Sequence, residues 1–216
     1  MTTFGITGSI ACGKSTVTRF LRKAGVPIVD ADIIAREVVT LGSPGLQSIV
    51  NAFGKEYLLP EGDLDRPKLG RLVFGNQSQL DILNGLMSDL IRVEARRQRM
   101  ALYAAGHELI GYDAALIIEN GDADKYRPLL VVKAPFELQL SRLMSRNALT
   151  EDEARNRINK QLSSEEKAKY ADFVIETTGT LEELEMNTID VLDQIKAYVK
   201  GFKKGLRVTQ LVTEQG

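Results

Sequence analysis

The chain has 216 residues with 44% hydrophobic and 26% charged side chains, a composition that fits one globular domain and excludes collagenous, disordered and disulfide-stapled proteins. Its 28 Lys and Arg residues are balanced by 29 Asp and Glu residues, so there is no general basic excess for binding nucleic acid. One cysteine, one histidine and no run of about 18 apolar residues argue against disulfides, a zinc site, a Ser-His-Asp hydrolase and a membrane span. We therefore expect a cytoplasmic protein without nucleic-acid or membrane partners.

Strands and helices alternate along most of the chain. Amphipathic periodicity predicts a helix from Ser15 that ends at Gly25, and a longer helix over Leu181–Phe202. Strands are predicted in the apolar runs Thr3–Thr7, Val26–Val29, Glu108–Asp113, Leu129–Ala134 and Phe173–Ile175. This alternation predicts an α/β fold in which about five parallel strands are covered by helices.

Two segments interrupt the alternation. Residues from about 33 to 106 are predicted to form helices and loops without a clear strand, and residues from about 137 to 170 form charged helices rich in Arg. We interpret both as insertions at the functional edge of the sheet, within a single domain of residues 1–216. Ordinary crossover helices with solvated faces are the alternative. Residues 201–216 lack strong periodicity and are expected to form a loose tail.

The segment Gly8–Ser15, which reads Gly-Ser-Ile-Ala-Cys-Gly-Lys-Ser, matches the phosphate-loop pattern G-x-x-x-x-G-K-[ST] in full. Its glycines allow backbone N–H groups to surround phosphate oxygens, and the helix that follows adds its positive N-terminal end. Lys14 is expected to reach the β- and γ-phosphates of a nucleotide, and the Ser15 hydroxyl to bind Mg²⁺. The predicted phosphate-binding residues are Gly8, Ser9, Ile10, Ala11, Cys12, Gly13, Lys14, Ser15 and Thr16.

Cys12 allows two interpretations. Its position near a helix N-terminus favours a thiolate and a redox role, whereas a small side chain that fills a tight loop is the simpler alternative.

The reaction class is indicated by the sequence motifs that are present or missing beside the phosphate loop. The guanine-specific N-K-x-D pattern is missing, since Asn159-Lys160-Gln161-Leu162 lacks the Asp, and the L-S-G-G-Q signature of transporter ATPases is also missing. A short chain with a helical insertion and a charged segment that closes as a lid is typical of a small-molecule kinase. Such an enzyme holds ATP, Mg²⁺ and an anionic acceptor, and excludes water from them.

The string Val29–Arg36, Val-Asp-Ala-Asp-Ile-Ile-Ala-Arg, together with the phosphate loop, resembles the dephospho-coenzyme A kinase family. The resemblance covers about residues 3 to 185 and implies a nucleoside-kinase-like fold with the insertion at 33–106 binding the acceptor. It implies transfer of phosphate from ATP to the ribose 3′-hydroxyl of dephospho-CoA, the last step of coenzyme A synthesis. The chain departs from the family pattern at four places: Gly70 stands for Arg, Ser88-Asp89 for His-Pro, Ala115 for Pro and Thr177 for Asn. A kinase of another small acceptor and a non-catalytic nucleotide-binding relative are the alternatives.

Candidate site residues follow from the residues and the resemblance together. The resemblance implies that Asp32 orients the attacking hydroxyl, with a helix N-cap as the alternative, and that Arg146 closes over the γ-phosphate. Asp113 ends a predicted strand and is expected to hold the water shell of Mg²⁺, or else to cap the next turn. Further candidates are Arg142 and Gly179 for ATP, and Thr7, Arg36, Arg66 and Arg71 for the acceptor, with strand-end packing as the alternative for Thr7.

Overall fold

The structure, a computed structural model, describes residues 1–203, and the rest of the predicted tail lies outside the described residues. The chain forms two compact units. One comprises residues 1–29 together with the described residues from 105 onward, and the other is Asp30–Ala104. The second unit begins three residues before the predicted insertion and ends two residues before its predicted end.

A five-stranded parallel sheet forms the centre of the first unit. Its strands lie in the order β2-β3-β1-β4-β5, so β1 is central and Ile6 lies opposite Asp113 on one side and Leu130 on the other. The α/β fold and all five predicted strands are confirmed. In chain order, β1 to β5 are Thr2–Thr7, Ile28–Asp30, Leu109–Asp113, Leu129–Lys133 and Phe173–Glu176.

Five of the ten strand boundaries differ from the prediction by one residue, four match it, and the second strand begins two residues later than predicted. The second strand begins after Pro27 because proline has no N–H group to donate to the sheet. The Pro27 carbonyl still accepts a hydrogen bond from the Gly111 amide at 2.9 Å.

Helices pack against the sheet within the first unit and make up most of the second unit. Among residues 1–203, none of them is both long enough and apolar enough to cross a membrane. In chain order, α1 to α9 are Lys14–Lys23, Ala31–Glu37, Pro44–Phe53, Arg66–Phe74, Gln77–Ala104, Phe136–Asn147, Glu151–Ile158, Ser164–Ala168 and Leu181–Lys203.

The core of the first unit lies between the sheet and the helices α1 and α9. Phe4 and Ile6 of β1, Leu130 and Val132 of β4, and Ile195 of α9 belong to one buried apolar cluster. Burial of this cluster holds the carboxyl ends of the strands, and the loops that follow them, in fixed positions.

The second unit has its own apolar core. Val39, Ile49, Phe53, Leu69 and Val73 are buried together, and side chains on one face of α5 pack against them. Because this core is separate from the core of the sheet, Asp30–Ala104 is a compact helical unit and not a long loop. The prediction that the insertion contains helices and no clear strand is confirmed for its described elements.

Candidate active site

The phosphate loop leaves the carboxyl end of the central strand. The chain runs from β1 to β2 on one side of the sheet, and later crosses from β3 to β4 on the other side of β1, so the connections extend in opposite directions from the central strand. In parallel α/β sheets a crevice opens at such a point, and ligands bind there.

Two glycines give the loop its shape. A Cβ atom on Gly8 would lie 2.4 Å from the carbonyl oxygen of Val132 and 2.6 Å from Sγ of Cys12, so no side chain fits. Gly13 has a φ of 91°, in the left-handed region that favours glycine, and it is the N-cap of α1. The loop pattern therefore contains glycine where the backbone cannot accommodate another residue.

The loop leaves several backbone donors for an anion. The amides of Ala11, Gly13 and Ser15 donate to no group within residues 1–203, next to the N-terminus of the ten-residue helix α1. Ile10 differs, because its amide donates to Oε1 of Gln161 at 2.8 Å. The Thr16 amide donates to the carbonyl of Gly13 at 3.0 Å. The Cys12 amide donates to the Ser9 carbonyl at 3.2 Å, so at least three of the amides predicted to bind phosphate are used within the fold.

Lys14 and Asp113 form an ion pair beside this cradle. Asp113 ends β3 and is only 2% exposed, whereas the side chain of Lys14 is 16% exposed. A lysine that pairs with a buried carboxylate at the end of a neighbouring strand is held close to where phosphates would bind. Asp113 therefore lies at the end of a strand, as the sequence predicted.

A buried lysine that the sequence analysis did not single out supports the same region. Lys167 in α8 is fully buried; its Nζ donates to the carbonyl of Ala115 at 2.6 Å and lies 2.9 Å from a carboxylate oxygen of Glu119. Its neighbours Glu165, Glu166 and Lys169 are exposed. A run of charged residues gives no sequence signal for which one is buried, so Lys167 could not be found without the fold.

Hydrogen bonds join the segment before Lys167 to the phosphate loop. Glu119 also accepts from the amide of Leu162 at 3.2 Å, and the Leu162 carbonyl accepts from the Ser9 hydroxyl at 2.8 Å. Thr7, at the end of β1, is completely buried, and its hydroxyl donates to the Ala115 carbonyl at 3.0 Å. The structure therefore favours strand-end packing for Thr7 over contact with an acceptor.

We expect Lys167→Met to destabilise the protein without changing any group that is proposed to touch a substrate. Removal of one partner leaves Glu119 without its buried cation, which costs about 3 kcal/mol of unfolding free energy. For a chain of this size this corresponds to a Tm that is roughly 6 to 12 °C lower in calorimetry. Lys169→Met, at an exposed lysine in the same segment, is the matched control. Equal Tm values for the two variants would contradict the structural role of Lys167.

Thr177 connects Arg142 of α6 to the phosphate loop by hydrogen bonds. Its Nη1 donates to the Thr177 hydroxyl and its Nη2 to the Thr177 carbonyl, both at 2.8 Å, and the Thr177 hydroxyl donates to the Cys12 carbonyl at 2.7 Å. Gly179, two residues further, is exposed and lines a groove of about 730 Å³ between β5 and α9. The structure thus links Arg142 to the phosphate loop, while the role of Gly179 stays a prediction.

Arg146 lies one helical turn after Arg142 on α6. Its side chain is exposed, and Nε donates to Oδ1 of Asn147 at 3.0 Å. The other face of α6 is packed: Leu140 and Leu143 are buried with the apolar side of α7, and Ile10 and Ala11 of the phosphate loop pack against the same cluster. Arg146 is therefore exposed on a helix whose other face is packed against α7 and the phosphate loop.

Cys12 is buried in the loop and is 1% exposed. Burial raises the pKa of the Cys12 thiol above its ordinary value, and a hydrogen bond from the Lys14 backbone offsets this only in part. The buried position and the raised pKa of the Cys12 thiol both favour the interpretation that this side chain fills space in the loop.

A neutral, buried thiol should react slowly. We expect iodoacetamide at pH 8 to alkylate Cys12 in the folded protein roughly a hundredfold more slowly than in urea, because reaction needs local opening and a thiolate. Mass spectrometry of the modified chain measures both rates. Similar rates in the two conditions would contradict the burial of this thiol.

The candidate acceptor residues lie in the helical unit. The Asp30 carboxylate accepts hydrogen bonds from the amides of Asp32 at 2.9 Å and Ile33 at 3.1 Å, so Asp30 is the N-cap of α2. The capping alternative for Asp32 is therefore wrong. The Asp32 side chain is exposed and has no hydrogen-bond or ion-pair partner within the described part of the chain.

The arginines of the helical unit differ in position. Arg36 is four residues after Asp32, so the two side chains share a face of α2. Nη2 of Arg66 donates to the Arg36 carbonyl at 3.3 Å, which places the N-terminus of α4 next to the end of α2. Arg71 is exposed and lies five residues after Arg66, on a different face of α4. The structure thus brings Arg36 and Arg66 together and separates Arg71 from them.

Comparison with solved structures defines the class of the fold. Shikimate kinase from Bacteroides thetaiotaomicron superposes with a TM-score of 0.51 over 90% of this chain and 98% of that chain, at 12% identity, so it shares the fold alone. With the complete phosphate loop at the end of β1, the fold is that of an α/β P-loop kinase.

The profile of the dephospho-CoA kinase family matches residues 2–183. A dephospho-CoA kinase from Campylobacter jejuni superposes with a TM-score of 0.67 at 30% identity, over 89% of this chain and 96% of that one. The dephospho-CoA kinase of Bacillus licheniformis is 43% identical over 189 residues, which cover 88% of this chain and 94% of the relative. The chain belongs to the dephospho-CoA kinase family.

Proposed function

We propose that this protein transfers the γ-phosphate of ATP to the ribose 3′-hydroxyl of dephospho-CoA, which yields ADP and coenzyme A in the last step of its synthesis. The observation that supports this most strongly is the extent of the family match, which includes both the unit with the phosphate loop and the helical unit. A match to the phosphate loop alone would support only nucleotide binding. We place the reaction in the cytoplasm, in line with a single reduced cysteine.

The phosphate loop and Lys14 bind the phosphates of ATP in this proposal. The amides of Ala11, Gly13 and Ser15 are available for phosphate oxygens, and Lys14 exchanges Asp113 for the β- and γ-phosphates. The Lys14 ammonium then stabilises negative charge that develops on the transferring group.

Mg²⁺ fits the oxygen donors at this position. The described residues contain no group of three or more His, Cys, Asp or Glu side chains that would hold a metal by themselves. A Mg²⁺ ion that arrives with ATP needs only one or two protein oxygens, and the exposed Ser15 hydroxyl and the Asp113 carboxylate supply them. When bound, Mg²⁺ neutralises phosphate charge and orients the γ-phosphate; Asp113 would hold its water shell.

The helical unit supplies the acceptor residues in this proposal. The Asp32 carboxylate, which has no partner among residues 1–203, accepts the proton of the 3′-hydroxyl or orients it. Arg36 and Arg66 offer guanidinium donors for the diphosphate of dephospho-CoA, since an arginine binds phosphate in a bidentate manner. We place Arg71 outside this pair because it lies on another face of α4.

Two departures from the family pattern lie in the same unit. Ser88-Asp89 stands in place of His-Pro, and Asp89 pairs with Arg92 at 2.8 Å on the exposed side of α5. Gly70 stands in place of Arg, and a Cβ atom there would meet no neighbour within 4 Å. Neither departure disturbs the described packing of the helical unit.

Arg146 and the segment 137–170 are proposed to close over the bound substrates. Amide hydrogen exchange should slow in this segment when ATP and dephospho-CoA are both present, because closure adds contacts that the open state lacks. The strands Thr3–Thr7 and Phe173–Ile175 should change less and serve as internal controls. Equal protection with and without ligands would contradict closure.

Arg146→Ala should separate turnover from binding. We expect kcat to fall about a hundredfold, since this arginine would offset charge only in the transition state. The Kd for ATP, measured by calorimetry, should change less than about threefold. Arg157→Ala, at an exposed arginine of α7, is the matched control. A kcat like that of the wild type would remove Arg146 from the reaction.

An acceptor panel tests the proposed reaction. ADP release is measured with Mg-ATP and, in separate reactions, dephospho-CoA, AMP, shikimate or no acceptor. We expect release above background only with dephospho-CoA. Release with AMP or shikimate alone would support a kinase of another acceptor, and tight ATP binding without release in any reaction would support a non-catalytic relative.

A further inference from the structure

Thr177 occupies a junction between three parts of the first unit. It follows β5 directly, and its side chain is 2% exposed. Its hydroxyl donates to the Cys12 carbonyl at 2.7 Å and accepts from Nη1 of Arg142 at 2.8 Å, and its carbonyl accepts from Nη2 of the same arginine at 2.8 Å. One residue therefore contacts the phosphate loop and α6 from the end of β5.

The bond to the Cys12 carbonyl fixes the orientation of the peptide between Cys12 and Gly13. A trans peptide is planar, with its C=O and N–H groups on opposite sides. Because Thr177 holds the Cys12 carbonyl on one side, the Gly13 N–H points to the other. That amide is one of the donors without a partner in the described part of the chain.

The methyl group of Thr177 supports the same peptide from close range. A Cβ atom on Gly13 would lie 3.1 Å from Cγ2 of Thr177 and 3.2 Å from its Oγ1. The backbone of Gly13 is therefore packed directly against this side chain, which limits rotation of the peptide.

The two bonds to Arg142 fix the plane of its guanidinium group. Guanidinium is planar, and two donors held by one residue leave it little rotational freedom. Arg142 is half-buried, so part of the group stays open to a ligand beside the loop.

We propose that Thr177 is a positioning residue for the nucleotide: it directs the Gly13 amide toward the phosphates of ATP and holds the Arg142 guanidinium beside the phosphate loop. The proposal rests on ATP as the phosphate donor. A threonine hydroxyl offers one donor and one acceptor, and both are used here, for the Cys12 carbonyl and for Arg142.

Three variants of the full-length protein test this role: Thr177→Val removes the hydroxyl at constant shape, Thr177→Ser keeps it, and Thr178→Val changes an exposed neighbour. Calorimetry measures the Kd of Mg-ATP and of Mg-tripolyphosphate, which has no base. We expect Thr177→Val to raise both Kd values by about tenfold, since a buried carbonyl loses its donor. The Ser variant and the Thr178 control should stay within about twofold of the wild type.

Arg142→Ala separates the two effects of Thr177. It leaves the bond to the Cys12 carbonyl in place, so it should raise the Kd of Mg-tripolyphosphate by less than Thr177→Val does. Combined with Thr177→Val, it should weaken ATP binding by less than the product of the single effects, because both act in part through one guanidinium. KM for ATP should rise with its Kd, while kcat per active enzyme changes less than about threefold.

Two results would overturn the proposal. One is a Thr177→Val variant that binds both ligands as the wild type does. A lower Tm in such a variant would show a merely structural role for Thr177. The other is a Ser variant as defective as the Val variant. Because binding is measured without an acceptor, a failure of dephospho-CoA phosphorylation in the acceptor panel leaves this test intact. Likewise, unchanged nucleotide binding in Thr177→Val leaves the proposed reaction intact.

Discussion

Lys14→Ala is expected to lower kcat with dephospho-CoA by about three orders of magnitude, because the lost ammonium stabilises charge that develops on the phosphates. The effect should appear in steady-state ADP release with circular dichroism unchanged. Lys14→Arg keeps the charge but not the shape of the group, and it should lie between Ala and wild type. Because Lys14 also pairs with buried Asp113, unfolding is measured in parallel to separate lost turnover from lost folded protein.

Lys23→Ala is the matched control for this series. Lys23 ends the same helix α1, with a side chain that is 72% exposed, and pairs with Glu185 at 2.6 Å. Its loss should leave turnover unchanged. A Lys14→Ala variant with turnover within about tenfold of the wild type would contradict the role of the phosphate loop in the reaction.

Asp32→Asn is expected to abolish most phosphoryl transfer and to leave ATP binding intact. The amide cannot accept the proton of the 3′-hydroxyl, and a loss of about two to four orders of magnitude in kcat is typical of a missing general base. The change should not unfold α2, because Asp30 and not Asp32 caps this helix. Single-turnover kinetics and ATP calorimetry separate the chemical step from binding.

Asp63→Asn makes the same chemical change at an exposed position of the same helical unit and should behave as wild type. An Asp32→Asn variant that binds both substrates normally and turns over at the wild-type rate would remove Asp32 from the mechanism.

The parts of the fold that depend on local pattern could be predicted from the sequence. The strands are short apolar runs, and the phosphate loop is a contiguous sequence motif. Its glycines have local reasons: a Cβ atom on Gly8 would clash with Val132 and Cys12, and Gly13 has a positive φ. The observed strand boundaries differ from the predicted ones because backbone hydrogen bonds, and not hydrophobicity, decide where a strand begins, as at Pro27.

The parts of the site that depend on distant segments could not be predicted. Lys167 is 52 residues from its partner Ala115, and Thr177 is 165 residues from its partner Cys12. No periodicity distinguishes a buried lysine in a charged segment from its exposed neighbours. The choice between alternatives at Asp32 and at Cys12 likewise needed geometry: which carboxylate caps α2, and whether the thiol is buried.

The position of the transferred phosphate is the most direct test of the proposed reaction. The protein is incubated with Mg-ATP and dephospho-CoA, and the product is examined by mass spectrometry and phosphorus NMR, with 3′-deoxy-dephospho-CoA as the acceptor that lacks the reacting hydroxyl. We predict one phosphate added at the ribose 3′ position for each ADP formed, and no product with the 3′-deoxy acceptor. A phosphate at any other position, or equal turnover of the 3′-deoxy compound, would contradict the reaction.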